Sequence, residues 1–129
     1  MNEHRLRGDR GDATVEAVLT VPVLLLMIMI VIQFGLWYHA SHTLEAAAQE
    51  GVRAARVEGG RASDGQDRTE QFVRYATPTL VQDVQVTATR DDQIARVEVQ
   101  GSVHSLVPGL TLSVRAEAQS PVERFRADR

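Results

Sequence analysis

Few residues in this chain stand at spacings that could do chemistry. His39, His42 and Glu45 fall at i, i+3 and i+6; on a helix they would share a face that could hold a metal. A metal site needs three correctly oriented ligands, and one short HxxHxxE run is thin evidence for it. These side chains are therefore read as interfacial, with no metal role. His104 stands at the end of a strand-like segment with no evident partner, and Asp91-Asp92 reads as a solvated turn. No glycine-rich phosphate loop and no nucleophile motif is present. The chain has no cysteine, which excludes disulfides and Cys-ligated zinc or iron–sulfur centres. With 14 basic and 17 acidic residues the net charge is −3, so there is no basic patch of the kind nucleic acid requires. The expectation is a binding or structural protein rather than an enzyme, with no cofactor, small-molecule substrate or nucleic-acid partner.

The N-terminus holds the more informative pattern. Residues 7–12 read RGDRGD, an Arg-Gly-Asp triplet written twice, and Glu16 follows as a lone carboxylate before a long apolar run. Displayed outside a cell, the triplets would be an adhesion signal. Which side of a membrane they face depends on the segment that follows.

Residues 17–44 contain no Asp, Glu, Lys or Arg, and within 17–32 the one polar side chain is Thr20. As a helix rising about 1.5 Å per residue, residues 17–38 span about 33 Å, enough for a hydrocarbon core of about 30 Å. Trp37 and Tyr38 fall at its far end, where amphipathic rings favour the interface. A buried core helix is a competing reading, but too little chain remains to wrap such a segment. A cleaved secretory signal is another. Against it, His39-Ala40 is preceded by bulky Trp37 and Tyr38, and Ala46-Ala47-Ala48 lies too far downstream for a small-x-small cleavage site. Arg5, Arg7 and Arg10 occupy the near flank, while the far flank has no positive charge until Arg53. Cytoplasmic flanks are enriched in Arg and Lys. The predicted topology is a single pass through the cytoplasmic membrane, N-terminus inside and C-terminal domain outside, with RGDRGD on the inner side.

Helical period continues past the apolar run. Leu44, Ala48, Val52 and Ala55 fall at i, i+4, i+8 and i+11, one helix face. One helix is expected over about 13–57, with Pro22 inside it and Gly59-Gly60 ending it. The small side chains of Ala48, Val52 and Ala55 let another helix approach closely; covering the helix's own domain is the alternative, and both remain open. Residues 59–66 read as a loop, and Asp67 with Glu70 as a capping box for a short helix over about 68–76. That helix would turn Phe72 and Ala76 or Tyr75 inward and end at Pro78. Three segments then alternate with period 2: Val84, Val86, Ala88; Ala95, Val97, Val99, Gly101, Val103; Leu112, Val114, Ala116, Ala118. This argues for half-buried antiparallel strands, with a hairpin turn at 90–93 and a connection at 107–110. Residues 121–129 are expected to fray. A domain of about 70 residues without staples is marginal alone, so its sheet should pack on the outer half of the long helix or against other subunits. The fold class is α+β.

The stretch ATVEAVLTVPVLLLMIMIVIQFGLWYHASHTLEAAAQEGVRAAR resembles the N-terminal region of TadE-like proteins. These are pilin-like (pseudopilin) components of tight-adherence, or Flp, pilus systems, and the resemblance covers about residues 8–58. It implies that a prepilin peptidase cleaves after Gly11, making Asp12 the new N-terminus and Glu16 the fifth mature residue. The organisation implied is a cytoplasmic leader (1–11), a long helix (12–58) and a small extracytoplasmic domain (59–129), type IV pilin-like in fold. The implied role is that of a minor component in pilus or secretion-apparatus assembly, with other pilin-like and Tad secretion subunits as partners. In such assemblies a carboxylate in the position of Glu16 can pair with a neighbouring subunit's α-amine and set helix register. By itself, Glu16 is a helix-start carboxylate favoured by the helix dipole. Two residues depart from the family pattern: Ala17 stands where an aromatic is frequent, and Asp12 is acidic. An uncleaved, signal-anchored protein presenting a small binding domain is the alternative reading, and an adhesin using its RGD triplets a third.

Overall fold

The computed structural model describes the backbone of residues 9–124 and the side chains of residues 11–124. The side chains of Arg5, Arg7 and Arg10, most of the leader and the last part of the tail lie outside the described residues.

A 48-residue helix, α1 (Asp9–Arg56), dominates the molecule. At about 1.5 Å per residue it is about 72 Å long. It begins earlier than the expected residue 13, running unbroken through Gly11, Asp12 and Pro22. It ends where expected: Gly59 takes the left-handed backbone at φ 76°, which a residue without Cβ adopts freely, and the Gly60 N–H donates to the Val57 carbonyl at 2.9 Å.

The second helix, α2 (Ala62–Ala76), starts six residues before the sequence suggests. Its half capping box uses Asp64, whose carboxylate accepts the Arg61 N–H at 2.8 Å, rather than Asp67 and Glu70. The glycine that read as loop, Gly65, is instead a buried helix position. A Cβ there would stand 2.9 Å from both the Ala55 Cβ and the Gly51 carbonyl oxygen. The inward stripe is accordingly Gly65, Thr69 and Val73, with Phe72 half-buried beside it. Ala76 and Tyr75 point outward, Tyr75 being 92% exposed. Thr77 closes the helix by donating both its N–H and its hydroxyl to the Val73 carbonyl, and Pro78 follows.

Three strands, β1 (Val81–Arg90), β2 (Ile94–Val103) and β3 (Leu112–Pro121), form an antiparallel sheet in the order β1-β2-β3. In register, Ala88 faces Val97, which faces Ala118; Val86 faces Val99, which faces Ala116. One face of the sheet is therefore apolar, the other carries charges and amides. β1 begins three residues before the alternating run because a bulge between Gln82 and Gln85 turns both Val81 and Val84 to the apolar face. Asp83 in the bulge has φ 53°. Gly101 opposite has no side chain to obstruct this; a Cβ there would lie 2.6 Å from Val81 Cγ1. The Asp91 carboxylate accepts the N–H groups of Ile94 and Gln93, both at 2.7 Å, which holds its pKa below the usual carboxylate value. The first residues of the tail are held rather than frayed: Val122 donates to the Gln93 carbonyl and Glu123 to that of Arg56.

The two helices lie side by side on the apolar sheet face, α1 over β3 and β2, α2 over β1. The core is Leu44, Ala47, Ala48 and Val52 of α1, Val73 of α2, and Val81, Val97, Val99, Val103, Val114 and Ala116 of the sheet. Each buried valine contributes about 1.5–3 kcal/mol. The outer part of α1 is thus one wall of the domain, and the architecture is a long apolar N-terminal helix with a small three-stranded antiparallel sheet, α+β.

Candidate functional site

The two parts of α1 have different surroundings. From residue 11 to residue 32 every side chain is exposed except the half-buried Met29. The most apolar window has a mean hydropathy of 2.8 and is 0% buried within the molecule. Valines, leucines, isoleucines and methionines in water over some six helical turns are not tolerated by a monomeric soluble protein, where contiguous exposed apolar patches reach only a few hundred Å². This part of α1 is long and apolar enough to cross a membrane.

Gly11, Asp12 and Glu16 lie at the exposed N-terminal end of this part. A Cβ on Gly11 would meet nothing within 4 Å. Glu16 is one helical turn from Asp12, a rise of about 6 Å, and apolar residues surround it from Val15 onward. Glu16 and Ala48 are 32 residues apart on one continuous helix, about 48 Å at the helical rise. The structure therefore does not bring Gly11, Asp12 and Glu16 together with Ala48, Val52 and Ala55. Ala48, Val52 and Ala55 are 0, 4 and 0% exposed, sealed in the chain's own core.

The boundary between the two parts is Gln33. Its side chain is fully buried: Nε2 donates to the His104 carbonyl at 3.2 Å and Oε1 accepts the Leu106 N–H at 2.7 Å. One turn on, the Trp37 indole N–H donates to the Ser113 carbonyl at 3.0 Å. These bonds fasten the loop between β2 and β3, and the start of β3, to the helix inside the expected span of 17–38, so the domain reaches lower on α1 than the aromatic pair suggests. The sequence carries a signal for this: Gln33 is a lone amide in an apolar run.

The other missed contact is the α1–α2 crossing. A Cβ on Gly51 would stand 1.9 Å from Thr69 Oγ1 and 2.8 Å from the Gly65 carbonyl oxygen. The Thr69 hydroxyl donates to the Gly65 carbonyl at 2.8 Å. The signal here is the small-xxx-small run Ala47, Gly51, Ala55, which meets the stripe read from periodicity at Ala55. His42 pairs with Glu45 at 3.4 Å and meets Tyr38 edge-on at 4.4 Å. Among the described residues no three His, Cys, Asp or Glu side chains come together as a metal site would require.

Residues 11–53 match the model of the TadE-like protein family. This is the TadE-like segment. Its match begins at Gly11 and ends near the C-terminus of α1, taking in the exposed apolar part, Gln33 and the helix wall of the core. No curated protein and no solved structure matches the chain. The TadE-like segment and the uncovered apolar helix fit a membrane protein associated with a Tad pilus system.

Proposed function

We propose that this chain is a TadE-like pseudopilin, a membrane-anchored minor component that assists assembly of a tight-adherence pilus or a related secretion apparatus, and not an enzyme. The observation that supports this reading is the uncovered apolar part of α1, entered through Gly11, Asp12 and Glu16 and continuous with a folded domain. In this reading the N-terminus is cytoplasmic and the α2–sheet domain extracytoplasmic. A prepilin peptidase cuts after Gly11. Glycine costs a helix about 1 kcal/mol relative to alanine, so the backbone unwinds more readily there than elsewhere in the first turns. After the cut, the Glu16 carboxylate, costly beside hydrocarbon unless paired, meets the α-amine of a neighbouring pilin-like subunit and sets register.

Sequencing the N-terminus of the membrane-extracted protein tests processing. A start at Asp12 is expected, and Gly11→Leu should leave the chain at full length. Mature protein persisting in Gly11→Leu would remove Gly11 as the site. Glu16→Ala should abolish crosslinking to partner subunits while leaving the protein in the membrane; unchanged crosslinking counts against pairing. The unbroken helix across Gly11 and Asp12 lends support to the second reading, an uncleaved signal-anchored protein with the same membrane disposition. A start upstream of Asp12 selects it.

A further inference from the structure

The connections of the domain fall into two groups by chemistry. β3 runs along α1 from Ser113 beside Trp37 to Ser120 and Glu123 beside Arg56. The turn joining β1 to β2 and the one joining α1 to α2 therefore lie at the end far from the exposed apolar helix. Both are charged: Arg90, Asp91 and Asp92 in the first, Glu58, Arg61 and Asp64 around the second. The β2–β3 loop, residues 104–111, lies at the opposite end, against Gln33. It belongs to a run, 99–114, with no Asp, Glu, Lys or Arg. The α2–β1 connection meets it there, the His104 N–H donating to the Leu80 carbonyl at 2.8 Å, and residues 75–82 are likewise without charge. The charge-free part of the domain thus joins the charge-free part of α1 (17–44) at one level.

The loop tip presents Leu106, 42% exposed, and exposed Pro108, with Val107 and Leu110 half-buried behind them. Several of its polar groups are bonded within the protein. The Leu106 N–H and His104 carbonyl are taken by Gln33. The Val107 carbonyl accepts both the Ser105 hydroxyl at 2.8 Å and the Leu110 N–H at 3.2 Å. Pro108 has no N–H to satisfy. Irregular backbone approaches an apolar medium at least cost where its polar groups are satisfied by protein, as the Leu106 N–H, the His104 carbonyl and the Val107 carbonyl are here.

We propose that the β2–β3 loop is a second membrane contact: Leu106, Val107 and Pro108 insert into the headgroup–acyl boundary of the leaflet from which α1 emerges, with Gln33 holding the loop to the helix at that depth. This rests on the reading of α1 as a membrane span. Two contacts, helix and loop, fix the tilt and rotation of the domain on the bilayer, which one helix crossing cannot do.

Because the chain has no cysteine, nitroxide labels can be placed singly. Full-length Leu106→Cys, Pro108→Cys, Met27→Cys and Thr87→Cys variants are labelled and reconstituted in phosphatidylcholine–phosphatidylglycerol vesicles. Collision with oxygen and with a water-soluble nickel chelate is then measured by electron paramagnetic resonance. The Met27 label should be lipid-immersed and the Thr87 label fully aqueous. The Leu106 and Pro108 labels should lie about 5–10 Å into the interface, as amphipathic segments do. Either loop label reading as the Thr87 label does, with Met27 in lipid, overturns the loop contact and leaves the span intact. A Met27 label open to the nickel chelate overturns both.

Discussion

Gln33 shows how one side chain can decide where an uncovered apolar helix ends and a domain begins. By type it is a polar interruption near the end of an apolar segment. In the fold it satisfies one donor and one acceptor of a loop more than seventy residues away in sequence. Replacing it with leucine makes the segment more apolar, yet it leaves the Leu106 N–H and the His104 carbonyl without partners. Leaving a buried polar group unpaired costs about 1–3 kcal/mol, more than one added apolar side chain recovers at an already filled site. Gln33→Leu should therefore lower the unfolding midpoint in detergent and speed hydrogen exchange at Leu106. Equal or greater stability would show that the loop does not depend on this amide. The Trp37 indole bond to the Ser113 carbonyl, at the start of β3, is the companion contact.

At the scale of elements, the α1–α2 crossing is set by the absence of side chains. Gly51 and Gly65 let the two backbones approach so closely that a Cβ on either would fall within 3 Å of the other's carbonyl oxygen. Gly51→Ala improves helix propensity by about 1 kcal/mol. Overpacking a filled contact costs about 1–3 kcal/mol, and the Gly65 carbonyl is backbone that cannot rotate aside. The expected net effect is destabilisation, read as a lower thermal midpoint. Gly35→Ala is the control, because a Cβ there meets nothing within 4 Å; it should be neutral or stabilising. If Gly51→Ala is as stable as Gly35→Ala, the close crossing is not a feature of the folded protein. The polar sheet face carries ion pairs such as Arg115–Glu98 at 2.7 Å. These are exposed and worth about 0–1 kcal/mol each, so the strands depend on the valine and alanine face for their position.

For the whole molecule, the core is complete without the first part of α1. Among the described residues, all the buried apolar ones lie at Ala40 or beyond, and Gln33 and Trp37 close the lower edge of the core. A chain beginning at Gln33 should therefore fold as a soluble α+β domain, monomeric by sedimentation, with native circular dichroism. The full chain should require detergent or lipid. An aggregated or unfolded fragment would show that the upstream helix stabilises the domain as well as anchoring it. In the proposed reading, deleting the helix upstream of Gln33 also abolishes assembly, since Glu16 and the proposed cut after Gly11 are removed with it.

The sequence by itself determined the long apolar helix, the Gly11, Asp12 and Glu16 spacing that resembles TadE-like proteins, and the period-2 faces of three strands. These are local properties: run length, spacing and alternation need no knowledge of distant residues. It did not determine where α2 begins, because Gly65 reads as a helix breaker until Gly51 is seen against it. It did not place Tyr75, whose helix rotation is set by the buried stripe Gly65, Thr69 and Val73. Nor did it show that Val81 joins the core, because the bulge at Asp83 depends on the room left opposite by Gly101. Above all, only the tertiary structure decided what Ala48, Val52 and Ala55 touch. A small-residue face suits another helix and the rest of the chain's own domain equally well, and here it meets both, Ala55 lying against Gly65 of α2 and Ala48 and Val52 within the domain core.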